Sequence, residues 1–195
     1  MTSRPANETQ LSPNLPGLTH HITGHDASGH AIVETDRPGT WTPWINNTMA
    51  FDVVYTTSAF PPNMNGDADI ATHDKVIQSQ QLGLVNPNGT VARIVDFSPG
   101  AQPLMHRTQS LDYGIVLEGE VEMILDDGVT RVLKRGDVAV QRGTNHGWRN
   151  TSGTEWARMF FVLQHAQKIE IGGKELGADL SNAGSDAEGL LGKEK

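Results

Sequence analysis

Turn signals divide the second half of the chain so finely that only short strands fit between them. Asn86-Pro-Asn-Gly89, Asp126-Asp-Gly128 and Arg135-Gly-Asp137 each carry the residues that tight turns need. Val91–Phe97, Tyr113–Leu125, Arg131–Lys134, Val138–Gln141 and Glu155–Leu163 lie between or beside them and are rich in β-branched and aromatic residues. Gly119 marks a bend in the longest of these runs. Val91–Phe97 and Glu155–Leu163 are apolar on both faces, as strands inside a sandwich are. This spacing predicts an antiparallel sandwich or barrel.

The first half fits the same plan. His20–Thr23 and Ala31–Thr35 flank an Asp26-Ala-Ser-Gly29 turn and read as a hairpin, and Phe51–Thr57 reads as a strand. One short helix is predicted over Asp67–Gln81, capped by Asp67 or Asp69. Residues 1–17 are polar, carry Pro5, Pro13 and Pro16, and are expected to form a flexible arm. One domain is expected over 18–171, with a loose tail over 172–195 in which a short helix is one option.

With 195 residues, one core of ordinary size is affordable. Twenty-one Gly and 10 Pro favour turns over helices. The net charge is −8 and no block of Lys and Arg occurs, so a nucleic-acid partner is not expected. Neither a run of 18 apolar residues nor an N-terminal apolar signal core is present, so no membrane partner is expected and the protein is placed in the cytoplasm. There are no cysteines, so any metal must be held by imidazole and carboxylate. The strands from Leu18 to Thr57 carry Trp41, Trp44, Ile45 and Phe51, more apolar surface than a small rim needs, and a homodimer is expected.

Two segments carry the chemistry. The first is Gly100-AQPLM-His106-Arg-Thr108-QSL-Asp112-YGIVLE-Gly119, and the second is Gly136-DVAVQR-Gly143-TN-His146-GWR-Asn150. Their joint spacing resembles the two signature motifs of the cupin superfamily, with Gly100, His106, Gly119, Gly143, His146 and Asn150 in register. The resemblance implies a single jelly-roll-like cupin β-barrel. It also implies a divalent metal held by three His and one Glu, from which this chain departs. Thr108 replaces the second His of the first motif, Asp112 replaces the Glu, and Gln141 replaces a Pro.

The remaining His106, Asp112 and His146 allow two readings. As ligands they supply two nitrogens and one carboxylate, a set that suits Fe(II), or Zn with water. Residues 106, 108 and 112 share parity, so an unbroken strand would point them to one side. Asp is shorter than Glu, however, which sets its oxygen about 1.5 Å back. Without a metal, His106 and Asp112 form an acid/base pair with Thr108 as neutral partner, and His146 beside them. Thr108, Tyr113, Gln141 and Trp148 are the candidates for contact with substrate. Tyr113 and Trp148 would form an aromatic platform if they are not packing residues. Arg107, Arg142 and Arg149 are outward partners for acidic groups, or one of them meets a substrate carboxylate at the mouth.

Other clusters carry less. His20, His21, His25 and His30 straddle a hairpin without matching carboxylates. Asn63-Met-Asn65-Gly-Asp67-Ala-Asp69 lacks the Gly at the sixth position and the Glu at the twelfth that a calcium loop requires.

The string HRTQSLDYGIVLEGEVE with LKRGDVAVQRGTNHGWRNTSGTEWARM is similar to one subgroup of small single-domain cupins, fungal and bacterial. Several of its fungal members lie beside secondary-metabolite genes. Such proteins assist dehydration, cyclisation, decarboxylation or oxidation of an intermediate. The expected function is therefore a small-molecule enzyme of lyase, dehydratase or isomerase type acting on a largely apolar, polyketide-like or aromatic metabolite, by acid/base or metal-assisted chemistry. An Fe(II)-dependent dioxygenase and a non-catalytic binding barrel are the alternatives.

Overall fold

The computed structural model describes residues 4–181. Its strands are β1 (Thr19–His25), β2 (Ala31–Pro38), β3 (Trp41–Trp44), β4 (Met49–Thr57), β5 (Thr90–Phe97), β6 (Ser110–Glu118), β7 (Glu120–Leu125), β8 (Thr130–Lys134), β9 (Val138–Arg142), β10 (His146–Asn150), β11 (Ala157–His165), β12 (Ile169–Ile171) and β13 (Lys174–Leu176). One helix, α1 (Ala68–Ser79), follows a short helical turn at Asn65–Asp67. A six-stranded sheet in the order β3-β4-β5-β11-β6-β9 shares its interior with a three-stranded sheet in the order β10-β7-β8, giving an all-β jelly-roll barrel. The named pairings are all antiparallel.

The run Tyr113–Leu125 is two strands because Gly119 takes φ +77°, a left-handed conformation that costs glycine little. There the chain leaves the large sheet for the small one. A Cβ at this position would also stand 3.0 Å from the Cβ of Ala157.

Two apolar clusters explain the strands that are apolar on both faces. Val95 and Phe97 of β5 join Met159, Phe161 and Leu163 of β11 in the interior. Ile94 and Phe160, of opposite parity, pack outside with Trp41, Ala50, Leu11 and Leu18. Residues of one strand alternate between faces, so each sheet face here has its own cover.

That outer cover includes the segment expected to be a flexible arm. Over residues 4–17 it is laid against the sheet. Ser12, fully buried, donates its hydroxyl to Asp96, and Leu15 is buried too. Arg158 donates from Nε and Nη2 to Asp96 at 2.6 and 2.7 Å, and from Nη1 to the carbonyl of Pro16 at 2.7 Å. Of the prolines that suggested mobility, Pro13 sits between these anchors, Pro16 is itself one, and the carbonyl of Pro5 accepts from the backbone N–H of Gly17 at 3.1 Å. Trp41 is buried under this segment and Phe51 faces the interior, so neither offers an exposed face to a second copy. Ile32 and Val33 of β2 are the exposed apolar residues of that region.

The tail differs likewise. β12 pairs with β13, and Asp179 bridges to Arg107 through two backbone hydrogen bonds of 2.8 Å. Arg107 Nε adds a bond to the carbonyl of Gly177, and Leu180 joins the interior cluster. The rest of the expected loose tail, 182–195, lies outside the described residues. α1 begins as expected, but Asp67 makes no capping bond. Asp69 instead accepts from the hydroxyl of Tyr55 at 2.7 Å, and Thr56 donates its backbone N–H to His73.

Candidate active site

The interior of the barrel opens into a pocket with about 610 Å³ of empty space, its mouth included. Phe51, Leu84, Phe97, Phe161 and Leu163 make most of its wall apolar. Four polar side chains reach it: His106, Asp112, His146 and Arg93.

His106 and His146 are neighbours across a two-residue bridge. Each donates its backbone N–H to the other's carbonyl at 2.9 Å, and their rings lie 4.5 Å apart between centroids. Their side chains are held alike. Nδ1 of His106 lies 2.9 Å from the carbonyl of Leu104, and Nδ1 of His146 lies 2.9 Å from that of Thr144. A carbonyl can only accept, so Nδ1 carries the proton in both rings and Nε2 is left with a bare lone pair. Burial pushes both histidines below the ordinary range. His146 falls to about 3, because the neighbouring His106 adds repulsion to desolvation. Both imidazoles are neutral at neutral pH.

Asp112 enters the cavity from β6, where it stands opposite Gln141 of β9 and Leu163 of β11. Its Oδ2 accepts from the Thr108 hydroxyl at 3.3 Å, and Ser110 in turn donates to Thr108 at 2.8 Å. Its Oδ1 is buried without any partner. Burial lifts this carboxyl to about 6.

The other sequence candidates are placed differently. Trp148 lines the cavity, edge-on to both His146 and Phe161 with centroids 5.6 and 5.5 Å apart. Tyr113 follows Asp112 in the same strand, so it points to the outer face and is 42% exposed. It forms no platform in the barrel. Thr108 is buried but lines a separate recess with Gln109, Ser110 and Arg142, and it reaches the cavity only through Asp112. Gln141 is buried with its amide turned aside. It donates to Met123 and accepts from Thr144. None of the three arginines of the motifs meets the cavity. Arg149 pairs with Glu122, Arg107 with Gly177 and Asp179, and Arg142 is exposed beside the Thr108 recess.

Sequence reasoning missed Arg93. It shares parity with Val95 and Phe97 and therefore points into the barrel, 4% exposed, with its guanidinium 5.3 Å from the centroid of Phe51. Nη2 donates to the carbonyls of Gly83 and Leu84 at 2.7 and 2.9 Å, while Nε has no partner. Burial pulls its pKa down to about 10, and the charge of Asp112 opposes that fall. The signal was present: Arg93 is the one charge among Val91, Arg93, Val95 and Phe97, which share a face of the strand.

The metal implied by the motif resemblance does not suit this donor set. Among the described residues, no three His, Asp or Glu side chains come close enough together to share one ion. The stretch between His106 and Asp112 is not an unbroken strand. Arg107 pairs with Asp179 and β6 starts only at Ser110. Shared parity therefore does not gather the three groups, and Thr108 is bonded to Asp112 instead of facing the imidazoles. The shorter arm of Asp112 acts in the same direction.

Comparison with known proteins gives consistent matches. The model of the family described as "Cupin domain" matches residues 93–163. Phomopsin biosynthesis cluster protein D of Diaporthe leptostromiformis is 46% identical over 172 residues, which cover 88% of this chain and 90% of that one. A cupin-domain-containing oxidoreductase of Hypocrea virens is 40% identical over 175 residues, 88% of each chain. Another, of Aspergillus ruber, is 36% identical over 178 residues, 90% of this chain and 86% of its own.

Proposed function

This chain belongs to the small single-domain cupins, and from that premise we propose that it is an enzyme of secondary metabolism that moves protons on a small, largely apolar metabolite. The reaction is of lyase, dehydratase or isomerase type. One observation carries the reading. Two neutral imidazoles with bare Nε2 atoms and a carboxyl with a free Oδ1 line one apolar cavity.

In a dehydration, Nε2 of a histidine takes the proton from a carbon next to a carbonyl. The C–H electrons form the new double bond as the C–O bond to a β-hydroxyl breaks. Protonated Asp112 gives its proton to the departing hydroxyl, and water leaves. As the product leaves, the imidazolium loses its proton to water and the Asp112 carboxylate takes one from water, which restores both groups. In an isomerisation the same pair removes a proton from one carbon and returns one to another. Burial depresses both imidazoles, and the charge of His106 opposes that of His146 as well, so either bare Nε2 can serve as the base. A carboxyl near 6 is matched to proton donation close to neutral pH. Apolar walls exclude water and strengthen each of these contacts.

Oxidation is the second reading, favoured by the names of the Aspergillus ruber and Hypocrea virens relatives. The two are separated with chelator-treated protein and the metabolites that accumulate when its gene is deleted. Proton-transfer chemistry gives a product equal in mass to the substrate, or lighter by one water, and isomerisation carries deuterium in from heavy water. A product changed by oxygen or by a hydrogen pair, formed with oxygen uptake, would select oxidation and discard the proposal.

A further inference from the structure

We propose that Arg93 is the recognition cation of the cavity and that the ligand is a small, largely apolar acid whose carboxylate binds it; this rests on the reading of the cavity as a substrate site. Arg93 has five N–H bonds. The two on Nη2 are used by the carbonyls of Gly83 and Leu84, whereas Nε has no partner and Nη1 makes no hydrogen bond among the described residues. No salt bridge neutralises it there either, unlike Arg158, which is as deeply buried and is paired with Asp96. A buried cation without a counter-ion is costly, and buried N–H groups are almost always matched. Two loop carbonyls explain why the side chain lies where it does. They do not explain a full charge in an apolar wall.

Asp112 is the second observation. It lines the same cavity, feels the charge of Arg93, and leaves Oδ1 buried without a partner. Yet it forms no salt bridge with Arg93. Two residues that carry unsatisfied polar atoms of opposite character therefore line one pocket without pairing. A ligand carboxylate accepts from the N–H groups of Arg93 that have no partner, and protonated Asp112 keeps Oδ1 for the departing hydroxyl. Guanidinium and ligand carboxylate cancel and Asp112 holds its own proton, so the group is neutral, as an apolar enclosure requires. The rest of the ligand meets Phe51, Phe97, Phe161 and Trp148. Arg107, Arg142 and Arg149, which the sequence offers for this task, are turned elsewhere.

The test compares phenylacetate with its uncharged counterpart phenylacetamide by calorimetry on the intact protein. Wild type should bind the acid about tenfold more tightly or better, the worth of a charge-assisted hydrogen bond. Arg93→Met should lose this preference while still binding the amide, and Arg93→Lys should keep part of it. Equal affinities in wild type, no binding of either probe at millimolar concentration, or a preference that survives in Arg93→Met would each overturn the assignment. The wild-type comparison and the Lys variant hold even if Arg93→Met fails to fold. Binding needs no turnover. An intact acid preference in a protein whose His106→Gln and His146→Gln variants both turn over like wild type would therefore count against proton transfer and leave the role of Arg93 standing.

Discussion

Replacing Asp112 by Asn should make the protein more stable at neutral pH, and the gain should vanish in acid. Burial lifts the carboxyl from 3.8 to about 6, so the folded protein holds this proton more tightly than the unfolded chain does. Stability then falls as pH rises from 3.8 to about 6. The cost is absent below that window and complete above it. A difference of about 2.2 between the two values corresponds to about 3 kcal/mol, a ceiling that water entering the cavity lowers. Asn keeps the shape and an oxygen for the Thr108 hydroxyl but does not titrate. Urea titrations of both proteins from acid to neutral pH read the effect. The stability difference, Asn minus wild type, should grow by up to about 3 kcal/mol across the window. His106 and His146 act in the opposite sense, since their depressed values favour the folded state as pH rises, but they are common to both proteins and cancel. Parallel stability curves, or a gap that widens towards low pH, would refute the buried and poorly partnered carboxylate.

Other substitutions probe the remaining contacts. Arg158→Met strands the buried Asp96, and should cost about 3–5 kcal/mol in denaturation experiments while exposing residues 4–17 to proteases; unchanged stability would contradict the anchored segment. Gly114→Ala would bring a Cβ within 2.7 Å of the Phe161 ring, and a loss of about 1–3 kcal/mol is expected, against none if the strand has slack. Tyr113→Ala should leave kcat/KM within about twofold, because the ring is outside the barrel; a large fall would place it in the site after all. Replacing the base, His106 or His146, by Gln should lower kcat by about 10² to 10⁴; two variants that both turn over like wild type would remove the imidazoles from the reaction.

The barrel was legible because its evidence is local. Turn residues and strand parity gave most of the strands after Gly89, and motif spacing put His106 beside His146. What parity could not show is where a strand stops. The chain leaves regular pairing between His106 and Ser110, so Thr108 and Asp112 answer to each other and not to the imidazoles. Tyr113 is a case where the rule was available and adjacency to Asp112 outweighed it. The N-terminal segment and residues 174–180 look polar and loose because their anchors are single residues: Ser12, Leu15, Asp179 and Leu180. Their partners lie far away in sequence, and a local reading does not reach them. Arg93 was hidden by the opposite effect: with Asp96, it lies inside a run read as apolar on both faces.

Proton transfer in this cavity requires two neutral imidazoles, each protonated on Nδ1 and bare on Nε2. Nitrogen NMR of ¹⁵N-histidine-labelled protein, with His106→Gln and His146→Gln for assignment, reads tautomer and charge directly. Both rings should be neutral Nδ1–H tautomers at pH 7, and His146 should stay uncharged down to about pH 5, since its value lies near 3. A proton on Nε2 in either ring, or an imidazolium forming near pH 6.5 as in an ordinary exposed histidine, would contradict the site described above.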